Sequence, residues 1–242
     1  MRETRAASNS PADTTADMMN PSSGPRPTVK AVLFDLDGTL IDSIPLIVAS
    51  MRHAMSTVLA LDLSDEQLMK NIGTPLVKQM RGFSPEHADE LLRVYREHNA
   101  LHHDSWVKEY PMTSETLVAI RAMGYPVGVV TSKAGEGARR GLAVTGLDKY
   151  IDALVTCDDT DIHKPEPEPL YLAAERFGVQ ATECVYVGDS EFDMMAAKAA
   201  GAVSIAALWG PFPAETVLGP GVDHALETIA GLVPLLEDLN KG

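Results

Sequence analysis

An apolar run that ends in two carboxylates one residue apart constrains this chain more than any other segment. Val29, Ala31, Val32, Leu33 and Phe34 are followed by Asp35-Leu36-Asp37-Gly38-Thr39. The run is short and β-prone with no helical period, which predicts a buried strand of a parallel sheet. Open α/β sheets place their ligands at the carboxyl ends of such strands, so Asp35 and Asp37 are expected there. Side chains at i and i+2 of an extended segment point the same way. Two like charges held so close call for a cation between them or for a shared proton. Gly38 permits a sharp exit and Thr39 offers a hydroxyl to fix the turn. An Asp-rich turn without chemistry is the rival reading, and the rest of the chain bears on the choice.

Three later segments matter. Val127-Gly128-Val129-Val130 reads as a strand ending in Thr131-Ser132-Lys133, ahead of a helix predicted from Ala134. Hydroxyls at a strand end that opens onto a helix N-terminus gather donors and the positive dipole end, which makes an anion site. Ser and Thr also cap helices for purely structural reasons. Lys164 stands ahead of Pro165, Pro167 and Pro169, which hold its backbone extended. A lone lysine would otherwise read as solvated surface. Cys184-Val185-Tyr186-Val187 then leads into Gly188-Asp189-Ser190 and Asp193, a further apolar strand ending in acids at the start of a helix.

Together and in this order, Asp35-Leu36-Asp37-Gly38-Thr39, Thr131, Lys164, and Gly188-Asp189-Ser190 with Asp193 resemble the motif set of the haloacid-dehalogenase-like hydrolase superfamily. The resemblance runs from about Val29 to the C-terminus, and no motif position departs from the pattern. Ile72-Gly73-Thr74-Pro75-Leu76, Tyr95-Arg96-Glu97-His98-Asn99 with His102-His103-Asp104, and Lys164 to Leu170 are similar to its phosphoglycolate phosphatase and pyrophosphatase branch. This resemblance implies an α/β fold, a doubly wound Rossmann-like parallel sheet with an inserted α-helical cap. It implies a phosphatase that uses Mg2+ and an aspartyl-phosphate to hydrolyse a small phosphorylated metabolite: phosphoglycolate, a sugar phosphate or pyrophosphate.

The resemblance also distributes roles. Asp35 would attack phosphorus, splitting one hard displacement into two. Asp37 would protonate the leaving oxygen and later take a proton from water. Mg2+ would be held by Asp35, Asp189 and the backbone carbonyl of Asp37, with Asp193 supporting the ligands from behind. Thr131, with backbone N–H groups near Ser132, would hold the phosphoryl oxygens, and Lys164 would neutralise charge that peaks in the transition state. A sugar phosphomutase would use the same core, and Lys70, Lys78 and Arg81 keep that alternative open. A non-catalytic binding protein is disfavoured by the intact set Asp35, Asp37, Lys164 and Asp189. Dehalogenation needs neither Asp37 nor a metal.

The organisation follows. Residues 1–28, rich in Ser, Thr, Pro, Ala and Asp without periodicity, are expected to be a disordered tail. Residues 29–44 and 111–242 should form the core and residues 45–110 the cap. The cap is expected to hold helices over Leu46–Leu59 and His87–Leu101 and no strand, with hinges near Asp42–Pro45 and Tyr110–Met112. Core strands are expected near Val127–Val130, Ala153–Thr156, Cys184–Val187 and Val203–Ala206. Gly73 and Thr74 either descend from the cap to the leaving group or make a plain turn. His102-His103-Asp104 reads as polar helix-end residues, because neighbours on a helix diverge. The methionines, including Met194 and Met195, read as packing. Cys157 and Cys184 read as core residues, which suits a reducing cytoplasm. A net charge of −14 opposes nucleic-acid and anionic-membrane partners. No run reaches membrane-spanning length, and a monomer is expected.

Overall fold

The computed structural model describes residues 28–241. The expected tail lies, apart from Thr28, outside the described residues. In chain order the elements are β1 (Ala31–Phe34), β2 (Ile41–Asp42), α1 (Ile44–Leu59), α2 (Asp65–Met69), α3 (Leu76–Phe83), α4 (Ala88–Trp106), β3 (Lys108–Glu109), α5 (Thr113–Ala122), β4 (Val127–Val130), α6 (Gly135–Thr145), β5 (Ala153–Val155), α7 (Glu168–Arg176), β6 (Cys184–Gly188), α8 (Glu191–Ala200), β7 (Val203–Ala207), α9 (Ala214–Leu218), β8 (His224–Leu226) and α10 (Leu232–Leu239).

Six strands form one parallel sheet in the order β5-β4-β1-β6-β7-β8. The chain winds outward from β1 through β4 to β5 on one side, then through β6, β7 and β8 on the other. The switch point therefore lies at β1, between β4 and β6, where a doubly wound sheet opens a crevice at its strand ends. Alternation along the strands builds a layer on each face. Val32 and Phe34 of β1, with Val185 and Val187 of β6, pack with Leu117 and Ile120 of α5, Leu142 of α6 and Leu232 of α10. Ala31, Leu33, Cys184 and Tyr186 pack on the opposite face with Leu170 of α7 and Ala196 and Ala197 of α8. Fully burying one such leucine contributes about 1.5–3 kcal/mol.

The segment between β2 and β3 is helical and has its own apolar cluster, with Met51 and Met55 of α1, Leu68 of α2, Met80 of α3 and Leu91 of α4 buried together. Its two chain crossings are not free linkers. Ile41 pairs with Glu109 and Asp42 with Lys108 in a two-stranded antiparallel ribbon. A two-residue strand has no alternation to detect, so β2 and β3 carry no sequence signal. The edge strand β8, His224-Ala225-Leu226 with an exposed centre, has no continuous apolar run to mark it. Met194 is buried as expected, but Met195 is 43% exposed, because the next position on a helix turns away from the core. Among the described residues no helix is long and apolar enough to cross a membrane.

Gly128 of β4 packs against Leu33 of β1 and Phe177 just after α7 with no room for a side chain. A Cβ there would lie 2.7 Å from Leu33 Cδ2 and 3.0 Å from Phe177 Cε2. Gly128→Ala is expected to lower stability by about 1–3 kcal/mol through overpacking, while activity per folded molecule holds. Urea unfolding checks the first outcome and turnover normalised to folded fraction the second.

Candidate active site

Three neighbouring strands deliver the site. Asp35 follows β1, Thr131 follows β4 and Asp189 follows β6. Asp35 N donates to Val187 O at 2.9 Å and Thr131 N to Val155 O at 2.9 Å, so the sheet ladder runs to the first site residues. Asp35, Asp37, Thr131, Ser132 and Asp189 line one cavity of about 530 Å3, together with Gly73 and Thr74 of the helical segment. Lys164 and Asp193 lie beneath it, at 2% and 0% exposure.

Lys164 is the centre of the buried part. Its Nζ lies 3.0 Å from Asp35 Oδ1 and 2.6 Å from Asp193 Oδ1, and donates to Tyr186 OH at 3.0 Å. Burial works against its charge, but Asp193 and Asp35 outweigh that and hold the ammonium above its ordinary range. Asp193 owes its position to a capping box at the start of α8. Ser190 N donates to Asp193 Oδ2 at 3.1 Å and Asp193 N donates to Ser190 Oγ at 3.3 Å. With Lys164 and Tyr186 on Oδ1 and Ser190 on Oδ2, both Asp193 oxygens are engaged. Gly188 fits against this carboxylate, where any Cβ would collide with Asp193.

Asp189 is 1% exposed, and its Oδ1 accepts from Thr39 Oγ1 at 2.7 Å. Thr39 thus ties the turn after β1 to the end of β6. Gly38, at φ +88°, and Gly210 flank Asp189 so closely that a Cβ on either would collide with it. Asp189 Oδ2 has no hydrogen-bond partner among the described residues. Burial, then the nearby Asp193 and Asp35, push Asp189 well above the carboxylate range. Burial likewise raises Asp35 to about 7, against the opposing pull of Lys164.

Asp35, Asp189 and Asp193 each offer an oxygen within 4.8 Å of the others. Since Asp193 is spent on its own donors, Asp35 and Asp189 are the pair left to face a cation. An all-oxygen donor set with one unpartnered buried carboxylate oxygen suits a hard divalent ion such as Mg2+. The residues fit the group.

Asp37 sits higher in the cavity wall. Its Oδ1 accepts from Lys133 Nζ at 2.7 Å and from Ser43 Oγ. Ser43 stands at the N-terminus of α1 but caps nothing, because its hydroxyl is turned to Asp37. On the other side Thr131 Oγ1 accepts from Lys133 N at 3.2 Å, which shapes the loop into α6. Ala134 gives α6 no side-chain cap, and the first amide of the helix, Gly135 N, donates instead to Asp158 Oδ2 at 2.7 Å. Gly73 reaches the core: at φ +103°, its Cβ position lies 2.9 Å from Phe192 Cδ2 and 3.3 Å from Ser190 Oγ. The segment at Gly73 and Thr74 therefore descends onto the start of α8.

The family model for haloacid dehalogenase-like hydrolases matches residues 32–207. The chain belongs to that family. Pyrophosphatase PpaX of Bacillus velezensis is 38% identical over 205 residues, 85% of this chain and 95% of the relative. Pyrophosphatase PpaX of Bacillus cereus strain AH820 is 34% identical over 213 residues, covering 88% and 99%. Among solved structures, a predicted phosphoglycolate phosphatase from Haemophilus somnus superposes with a TM-score of 0.76 at 26% identity, over 86% of this chain and 97% of that one. A hydrolase from Pseudomonas syringae gives 0.78 at 25% identity, over 86% and 98%.

Within this family member, the structure adds residues that sequence reasoning passed over. Lys133 and Ser43 hold Asp37, Tyr186 shares Asp193 with Lys164, and Gly210 backs Asp189. Only Lys133, beside Thr131, carried a hint. Cys184 is buried as expected, but Cys157 is half-buried and lines the cavity, because it follows β5 instead of lying in it. His103 is 2% exposed and also lines the cavity, because α4 continues to Trp106 and the triplet falls inside the helix. Lys70, Lys78 and Arg81 are exposed and do not line it.

Asp35 has a folded value of about 7 against 3.8 in an open chain. Between the two the folded state holds more protons than the unfolded state, so this contribution to stability falls as pH rises through that window. In chelator, the stability of Asp35→Asn relative to the unsubstituted protein is expected to rise from about pH 5 to about pH 7.5. Urea unfolding of both at the two pH values checks it, and a difference that stays constant would contradict the shift.

Proposed function

We propose that this chain is a magnesium-dependent phosphohydrolase of small phosphorylated metabolites, acting through an aspartyl-phosphate on Asp35. The carrying observation is the placement of Asp35 at the cavity floor, 3.0 Å from the buried Lys164 ammonium and close to the unpartnered oxygen of Asp189. Family membership and the pyrophosphatase and phosphoglycolate phosphatase relatives support the same reading.

Asp35, Asp189 and the backbone carbonyl of Asp37 would hold Mg2+, which when bound offsets the charge of the carboxylates and of the substrate phosphate. Lys164 favours the ionised form of Asp35 that a nucleophile requires, and stabilises negative charge gathering on the phosphoryl oxygens. Asp35 displaces the leaving oxygen from phosphorus, and water then displaces Asp35. Asp37 gives its proton to the departing oxygen in the first step and accepts one from the attacking water in the second. Lys133 and Ser43 fix the Asp37 carboxylate for both transfers. Thr131 and the backbone near Ser132 receive the phosphoryl oxygens. Residues 45–110 act as a cap that covers the cavity and excludes water. Its Gly73 and Thr74 contact the leaving group. Lys70, Lys78 and Arg81, the cations a mutase reading would use, stay outside the cavity lining.

Phosphate release from phosphoglycolate, pyrophosphate, ribose 5-phosphate and an aryl phosphate, with and without Mg2+, tests the proposal. Release is expected to need Mg2+ and to fall by at least about 10^3-fold in Asp35→Asn. Release that survives both chelation and the substitution would overturn it. An isomeric phosphate in place of free phosphate would move the reading to a mutase.

A further inference from the structure

The cavity has a roof as well as a floor. Tyr95, Arg96, Asn99, Ala100 and His103 of α4 line it, spaced so that they share one face of the helix. Three cationic side chains reach the cavity: Lys133, Arg140 and Arg96. Two are engaged within the protein. Lys133 is bound to Asp37 at 2.7 Å, and Arg140 donates to Asp104 at 2.8 Å and to Ala100 O at 3.1 Å. Arg96 has no ion pair or hydrogen bond among the described residues. The nearby acid Glu97 is taken by Arg93 at 2.8 Å.

Arg96 lines the same cavity as Asp37. The neighbouring Tyr95 hydroxyl is held high by burial and then by the Asp37 carboxylate, so this turn of α4 stands within electrostatic reach of Asp37. Across the cavity, the Cys157 thiol is pushed up to about 11 chiefly by burial, and the charge of Arg96 opposes that push. Arg96 and Cys157 thus line the same cavity within electrostatic reach of each other. In the mechanism above Asp37 hands its proton to the departing oxygen, so whatever departs lies in this region.

An unpaired guanidinium is costly to ignore in a cavity otherwise lined by Asp35, Asp37, Glu136, Asp158 and Asp189, on a chain of net charge −14. A negatively charged leaving group would be repelled by those acids unless a cation met it. The planar fork of an arginine matches the oxygens of a carboxylate or a phosphate.

We propose that Arg96 is a specificity-determining residue that receives a second anionic group, carboxylate or phosphate, on the leaving portion of the substrate. The proposal rests on the phosphohydrolase reading and adds to it a substrate class: short phosphate esters or anhydrides whose leaving group is itself an anion.

Steady-state kinetics of the unsubstituted enzyme, Arg96→Ala and Arg96→Lys test it with Mg2+ present. Phosphoglycolate supplies a carboxylate, pyrophosphate a phosphate and p-nitrophenyl phosphate an uncharged ring bearing a nitro group. The ratio of kcat/KM for an anionic substrate over the aryl phosphate is expected to fall about 10- to 100-fold in Arg96→Ala, the loss of one or two hydrogen bonds to a charged group. The fall should reside mainly in KM, with part of it recovered in Arg96→Lys. A fall for phosphoglycolate alone identifies the anion as a carboxylate, and a fall for pyrophosphate alone as a phosphate. Equal losses on all three substrates, or a ratio that does not move, would overturn the proposal while leaving the phosphohydrolase reading intact. No release from any of the three by the unsubstituted enzyme would overturn both.

Discussion

A lysine ammonium sealed beneath the strand ends organises the rest of this molecule. Alone at 2% exposure, Lys164 would lose its proton or drive the core apart, because desolvating a charge costs several kcal/mol. It persists as a cation because Asp35 and Asp193 stand on either side of it and Tyr186 OH and Val130 O accept from it. Each acid is fixed by backbone in turn: Asp35 by the ladder between β1 and β6, Asp193 by the capping box of α8. The charge network thus runs through the sheet and a helix N-terminus. Removing one member leaves its partners buried and uncompensated, a more severe outcome than losing a surface pair.

The topology explains why so many acids meet in one place. Only the switch point of a doubly wound sheet brings three strand ends together with helices departing on opposite faces. Acids arriving there from β1 and β6 are already desolvated by the two apolar layers beneath them. Glycine makes the approach possible. Gly38, Gly188 and Gly210 remove the Cβ atoms that would hold the turns and carboxylates apart. The raised values of Asp35 and Asp189 are the electrostatic consequence of that close packing, and they describe a floor on which the carboxylates are costly to ionise without a cation beside them.

The parallel sheet and the residues at its strand ends were legible in the sequence for a physical reason. Val127–Val130 and the segment starting at Cys184 are buried on both faces, so they read as continuous apolar runs with polar punctuation. Thr39, read as fixing its own turn, instead spans to Asp189, a partnership between residues far apart in the chain that no local pattern encodes. Lys133 and Ser43 were hidden for the same reason. Both resemble ordinary residues at the start of a helix until the fold brings Asp37 beside them. His103 is a buried wall residue and not a helix-end one because α4 runs on past Leu101 to Trp106. The ribbon of β2 and β3 is too short to leave any pattern at all.

That ribbon has a mechanical consequence. Because Ile41–Asp42 and Lys108–Glu109 lie side by side, both chain crossings of the helical segment pass along one narrow edge. The residue immediately beyond it is Ser43, whose hydroxyl is bonded to Asp37. A shift in the ribbon would therefore be felt at Asp37 through a single hydroxyl.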